Sequence, residues 1–250
     1  MSAAFRCSVE PACLGLADPR RPGVSSVGTH RRTEGGMNVG IIGATGNAGR
    51  AIFAEAVGRG HEATAIVRHP EKARELLGGD VPVLDRDAFA LVREDLVAFD
   101  VVVDAFSTAP AQAYRHLDLA ARVIGLLRET TAPRLVFIVG AGSLMTGEDH
   151  HLLVEDLRKA PEARAWIATP ESQLKELRFL EWVDNVEWVA VSPSETFVPG
   201  EAGEVVLGRD ELLVAPDGAS RVTTGTMAMA ILDEIERPAH RQERFTVRDA

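Results

Sequence analysis

From residue 37 onward the chain alternates two hydrophobic patterns. Short runs of valine, isoleucine and alanine, apolar at nearly every place, give way to longer stretches in which apolar residues return every three or four positions. The first pattern suits a strand covered on both faces, the second a helix with one buried side. Strands are predicted near Asn38–Ile42, Ala63–Val67, Val81–Leu84, Val101–Ala105, Leu135–Val139 and Val186–Val191. Helices are predicted near Asn47–Gly58, Pro70–Leu77, Ala88–Val97, Ala111–Thr130, Glu171–Trp182 and Thr224–Ile235. Alternation of this kind predicts an α/β fold with a doubly wound parallel sheet, and right-handed crossovers give the strand order 3-2-1-4-5-6. Ligands of such sheets sit along the carboxyl ends of the strands. After the sixth strand the pattern changes. Glu204–Leu207 and Glu211–Val214, on either side of Gly208-Arg209-Asp210, read as a hairpin, and Arg244–Val247 reads as a closing strand. Residues from about 192 to 222 are therefore expected to form a small C-terminal cap on the substrate side.

Composition narrows the class. Of 250 residues 46% are apolar and 26% charged, with a formal net charge of −10, which is the make-up of a globular protein rather than a disordered or fibrous one. Arginine and acidic residues interrupt every apolar run before it reaches membrane-spanning length. An acidic surface repels phosphate backbones, so neither nucleic acid nor membrane is expected as a partner. A small molecule is. Residues 1–36 follow neither pattern and hold five arginines (Arg6, Arg20, Arg21, Arg31 and Arg32) together with both cysteines, Cys7 and Cys13. They read as a disordered N-terminal extension, with an arginine-rich transit peptide or a start at Met37 as the alternatives. Residues 37–250, the expected folded domain, contain no cysteine and so use no disulfide, thiol nucleophile or thiolate-bound metal. The expected setting is cytoplasmic, and the expected assembly is a monomer or homodimer.

The most informative segment joins the first strand to the first helix: Ile41-Ile42-Gly43-Ala44-Thr45-Gly46-Asn47-Ala48-Gly49. A buried strand must turn sharply into a helix whose first N–H groups point at a ligand. Gly43 allows the turn, Gly46 lets the backbone approach a pyrophosphate, and Gly49 lets helix pack on strand. The free N–H groups and the positive helix end then hold the anion. Placed between a predicted strand and a predicted helix, the motif points to dinucleotide binding in a Rossmann fold. It lacks the Lys-Ser/Thr ending of a nucleoside triphosphatase loop.

The second strand ends Val67-Arg68-His69, where an acidic residue would accept the ribose hydroxyls of NAD and a basic one suits the 2′-phosphate of NADP. Lys72 and Arg74 add charge on the next turn. NADPH is the favoured cofactor, with NADH as the alternative. The catalytic pair of typical short-chain dehydrogenases, Tyr-x-x-x-Lys, is missing: the single tyrosine, Tyr114, is followed four residues later by Asp118. Ser143 lies in Ala141-Gly142-Ser143-Leu144-Met145, which is no nucleophile elbow. Glu148-Asp149-His150-His151 reads as a solvated loop, so no metal is expected, and Lys175 and the three tryptophans read as surface and packing positions respectively.

Together the Ile41–Gly49 loop, Thr64–Lys72, Asp87-Ala88-Phe89, Gly140-Ala141-Gly142-Ser143-Leu144, Ser192-Pro193 with Phe197–Gly200, and Phe245-Thr246-Val247 resemble one group. It is the atypical short-chain dehydrogenase/reductases described as NAD(P)H-binding or NADH-flavin reductase-like, related to biliverdin reductase B and NmrA-like proteins. The resemblance implies that Asp87 and Ala88 border the adenine, that Ala105, Phe106 and Ser107 line the cofactor, and that Gly140, Ser143, Ser192 and Pro193 face the nicotinamide. One departure is Asp104 at the end of the fourth strand, a carboxylate that needs a partner if it faces the core. The expected function is reduction by NAD(P)H of a free flavin, quinone or similar conjugated acceptor, with Ser143 donating a hydrogen bond near the reacting rings and the proton coming from solvent. The alternatives are a non-catalytic NADP(H) sensor of NmrA type and a dedicated biosynthetic reductase or isomerase.

Overall fold

A computed structural model describes residues 35–250, so the expected N-terminal extension lies outside the described residues but for its last two positions. Six parallel strands follow the predicted order: β1 (Asn38–Ile42), β2 (Glu62–Val67), β3 (Val83–Asp85), β4 (Val101–Asp104), β5 (Thr130–Ile138) and β6 (Val186–Ser192). Two more extend the sheet. β8 (Arg244–Asp249) runs parallel to β6, and β7 (Val205–Gly208) pairs antiparallel with β8, which gives the order 3-2-1-4-5-6-8-7.

The strands are apolar throughout because each serves two cores by turns. Val39 and Ile41 of β1, Val101 and Val103 of β4, and Val189 and Val191 of β6 join the cluster on one face, under helices α1 (Asn47–Gly58) and α5 (Thr224–Glu236). Ile42, Val102, Trp188 and Ala190 join the cluster on the other face, under α3 (Arg115–Leu127) and α4 (Ala168–Leu180). Helix α2 (Pro70–Leu77) flanks the β2–β3 edge. The buried positions of α3 are His116, Leu119, Ala120, Val123, Ile124 and Leu127, a helical stripe whose first member is ionisable.

Three expectations are corrected. The helix expected over Ala88–Val97 is a 3₁₀ turn, Ala88–Ala90, followed by one helical turn, Arg93–Leu96. Two side chains start two separate turns there, since Asp87 accepts the Phe89 N–H at 2.8 Å and Asp95 accepts the Val92 N–H at 3.0 Å. The hairpin expected at 204–214 does not form: Val205–Gly208 finds its partner in β8, and the stretch after it carries only an isolated bridge from Glu211 to Met145. The loop expected at 148–151 is an exposed turn over 147–150, closed by a short strand pair, Met145–Thr146 with His151–Leu152, and the His151 ring nitrogens meet the Asp149 and Asp156 carboxylates, each at 2.6 Å. Of the tryptophans, Trp188 is buried and donates to the Val183 carbonyl at 2.9 Å, whereas Trp182 is 88% exposed, which corrects the packing position expected of it. Within residues 192–222, Thr196–Val198 pairs with Arg221–Thr223 as a separate two-stranded ribbon. Among the described residues no helix is long and apolar enough to cross a membrane.

Candidate functional site

The loop between β1 and α1 turns at Gly43, whose φ of +74° lies in the region that favours glycine. A Cβ there would stand 2.6 Å from the Ala105 carbonyl oxygen. The Gly46 N–H donates to the Gly43 carbonyl at 2.9 Å, and Gly49 packs so tightly that a Cβ would come within 2.3 Å of the same carbonyl oxygen. Gly46 differs from both, because its hypothetical Cβ meets only the Gly43 oxygen, at 3.3 Å, and otherwise faces the groove. It is also the N-cap of α1, and no side chain caps the helix. A glycine cradle beneath an uncapped helix start fits a pyrophosphate, and the N–H groups of Asn47 and Ala48 would hold it.

The groove has two chambers that meet at Gly46 and at Ala105-Phe106-Ser107. The first, of about 290 Å³, is bordered by Gly43, Thr45, Arg68, Asp87 and Ala88, all nominated by the sequence, and by Lys72, Arg86 and Arg115. The second, of about 560 Å³, is bordered by Asn47, Ala48, Gly140 and Pro193, and by Phe197, Val198 and Pro199. Ala44 and Gly49 are buried behind the loop and shape it without bordering either chamber.

The first chamber is basic in an acidic protein. Arg68 is exposed, with Nε 3.9 Å from Asp87 Oδ2, and Arg115 lies over the Phe89 ring at 4.3 Å. Arg74 does not contribute, since its guanidinium turns to Glu71 at 2.9 Å. Arg86 and Arg115 were not expected; the only sequence signal for Arg86 is that it directly precedes Asp87 at the end of β3.

Ser143 and Ser192 lie under the second chamber rather than on its wall, and this corrects the donor role expected of Ser143. Ser143 Oγ donates to the Gly140 carbonyl at 2.9 Å and accepts from Arg244 Nη1 at 3.2 Å, while Ser192 Oγ accepts from the same nitrogen at 3.0 Å. Arg244 is buried and held by Asp210 at 2.7 Å. Both hydroxyls are therefore committed to fixing Gly140, whose peptide does border the chamber. In the sequence Arg244 marks only the start of a strand, and an arginine opening an otherwise apolar run is the signal for its role here.

Asp104 does face inward, and it finds the Phe106 N–H at 2.9 Å. Burial pushes its carboxyl up to about 6. Beside it on α4 lies Glu176, whose carboxyl is held well above the usual range by burial and by the Asp104 charge. His116 on α3 borders the second chamber, and burial lowers its imidazole to about 4, so the ring is neutral. Lys175, the residue the sequence singled out on this helix, points outward.

Comparison with known proteins places this geometry. The chain is 38% identical to YwnB, an uncharacterized protein of Bacillus subtilis, over 213 residues that span 84% of this chain and 98% of the relative. A crystal structure from Lactobacillus casei is 42% identical, covers 86% of this chain and all of its own, and superposes with a TM-score of 0.80. SP1627 of Streptococcus pneumoniae, named as a candidate NADH-flavin reductase, is 32% identical over 86% of this chain and all of its own, with a TM-score of 0.77. A family profile described as NAD(P)H-binding matches residues 43–238, from the first glycine of the loop to the end of the last helix. By that span, and by relatives matched over almost their whole length, the chain belongs to the NAD(P)H-binding family.

Proposed function

We propose that the protein is an NADPH-dependent reductase of a diffusible flavin, quinone or similar conjugated acceptor. The observation that carries this reading is the two-chambered groove itself: a basic chamber for the adenosine end, a glycine cradle for the pyrophosphate, and a roomier chamber beyond it with apolar walls. About 560 Å³ lies within the usual size of a small-molecule site and leaves room for one ring system over another. When bound, the reduced nicotinamide supplies a hydride. The protein's part is to hold the rings and exclude water. Gly140, pinned by Ser143 and Arg244, lines the chamber together with Pro193, Phe197 and Pro199. Tyr114 is 60% exposed and borders neither chamber, so it cannot replace the missing tyrosine–lysine pair. The name given to SP1627 agrees with a flavin as acceptor. The remaining partner proposal is the small-molecule acceptor alone, taken by a monomer or homodimer.

The test is NADPH oxidation in the presence of FMN, FAD or a soluble quinone, followed at the NADPH absorbance band. Acceptor-dependent turnover is expected; tight NADPH binding with no turnover for any acceptor would favour the sensor reading instead. For the cofactor, Arg68→Glu is expected to weaken NADPH binding roughly tenfold or more while leaving NADH within about twofold, the discount from a full charge-assisted bond reflecting its exposure. Calorimetric titration of both nucleotides measures it, and an equal loss for the two would sink the assignment.

A further inference from the structure

Three ionisable side chains meet beside the second chamber, and among the described residues no lysine or arginine is paired to them: Asp104 at the end of β4, His116 on α3 and Glu176 on α4, exposed by 7%, 4% and 2% respectively. His116 borders the chamber, and its Nδ1 stands 4.0 Å from Glu176 Oε2. Among the described residues neither His116 Nε2 nor Glu176 Oε2 has a hydrogen-bond partner. The Phe106 ring meets the imidazole edge to face at 5.4 Å, and the Arg115 guanidinium lies over Phe89 at 4.3 Å. An apolar residue at position 116 would simply begin the stripe that Leu119 and Ala120 continue. Leaving buried polar atoms unsatisfied is costly, because each gives up its bonds to water and gains none in return. Groups kept at that cost on a cavity wall are the ones a ligand completes.

Resting on the reductase reading above, we propose that His116 is a catalytic residue that gives a proton to the acceptor in the second chamber, with Glu176 behind it as the proton's source. The hydride brings both electrons and one hydrogen nucleus. The acceptor heteroatom that gains negative charge takes the proton from His116 Nε2, while Nδ1 takes the proton of the Glu176 carboxyl. The ring ends neutral with its proton on Nδ1; after the product leaves, Nδ1 returns that proton to the Glu176 carboxylate while Nε2 takes one from water, which restores the starting state. Burial sets the starting state this needs: a neutral imidazole and a protonated Glu176, whose acid form the facing Asp104 carboxyl also favours. A protonated Glu176 opposite Nδ1 makes that nitrogen the acceptor and leaves the ring proton on Nε2. Nε2 is itself covered in the free site, so the ring has to shift toward the chamber as substrate seats, as catalytic pairs that stand apart in a free site do. This arrangement replaces solvent as the proton donor and does the work that a buried tyrosine does elsewhere.

The experiment uses His116→Gln and Glu176→Gln in the full chain, with FMN and a soluble naphthoquinone as acceptors. For His116→Gln, kcat is expected to fall by roughly 10²-fold or more. Wild-type kcat is expected to decline as pH rises and ionises Glu176, and Glu176→Gln should remove that decline; the titrating group that faces the ring is Glu176 from α4, and the one that acts on Glu176 is Asp104 from β4. Independently of turnover, nitrogen NMR of the protein without nucleotide should show His116 as a neutral Nε2–H ring at pH 6, and its signals should shift in Glu176→Gln. A protonated ring at pH 6 overturns the proposal, as do two folded variants that turn over like the wild type, which would leave the reductase reading intact. A wild type that binds NADPH but reduces no acceptor defeats that reading and this one together. If His116→Gln does not fold, the Glu176→Gln pH profile and the NMR signals decide.

Discussion

Gly49→Ala is expected to lose both cofactor affinity and stability. Its new Cβ would lie 2.3 Å from the Gly43 carbonyl oxygen and 2.8 Å from Ala44 Cα, both backbone atoms that cannot swing aside. Overpacking of this kind costs about 1–3 kcal/mol or more, which exceeds the roughly 1 kcal/mol that alanine gains over glycine inside a helix. The loop has to move away from α1, and the N–H groups that face the groove move with it. Two charge-assisted bonds lost at about 2 kcal/mol each correspond to roughly 10³-fold in affinity. Two controls separate the effects. Gly46→Ala meets only one atom, at 3.3 Å, so it should melt near the wild-type temperature yet bind nucleotide poorly because the methyl enters the groove. Gly125→Ala on α3 has nothing within 4 Å and should be neutral or slightly stabilising. Thermal denaturation and calorimetric NADPH titration of the three variants measure both quantities. Wild-type behaviour of Gly49→Ala would refute the assignment of the loop.

Asp104→Asn is expected to stabilise the protein at pH 8 by about 3 kcal/mol, the free energy that corresponds to a carboxyl raised from its ordinary value to about 6. The sign follows from which state holds the proton more tightly. The folded chain does, so the stability this carboxyl contributes is complete below about pH 4 and is lost as pH rises through 6. Asparagine keeps an oxygen for the Phe106 N–H and carries no charge at any pH. Its advantage should therefore be large at pH 8, smaller at pH 6 and near zero at pH 4. Urea midpoints at the three values test this, and a gain that did not vary with pH would rule out the buried charge as its source.

The elements that proved legible in the sequence are those fixed by neighbours along the chain. Helices α1 and α2 span Asn47–Gly58 and Pro70–Leu77 as expected, because glycine, proline and an apolar period mark their limits locally. Gly46 and Gly49 of the loop could be read for the same reason, since both meet Gly43 a few residues away, whereas the Ala105 carbonyl that crowds Gly43 lies far along the chain. What escaped depends on distant partners. Val205–Gly208 looked like half of a hairpin because its true neighbour, β8, lies far along the sequence. Ser143 looked like a free donor because nothing nearby shows that Arg244 and Gly140 occupy its hydroxyl. On α4 the eye falls on Lys175, yet the neighbouring residue, about 100° around the helix, is the one buried. A buried glutamate breaks the apolar period that would have revealed the inward face, and so it reads as solvent-exposed.

The place of β8 between β6 and β7 has a bearing on how the protein is made. Translation delivers β7 before the strand that will hold it, so until Arg244–Asp249 emerges both β6 and β7 present unpaired backbone to their surroundings. Arg244 arrives with the same strand, and only then are Ser143 and Ser192 locked beneath Gly140. The nucleotide cradle at the other end of the sequence can form early from local contacts, whereas the chamber beside it is finished last. A nascent chain can thus present its glycine loop well before it has a complete floor for the acceptor.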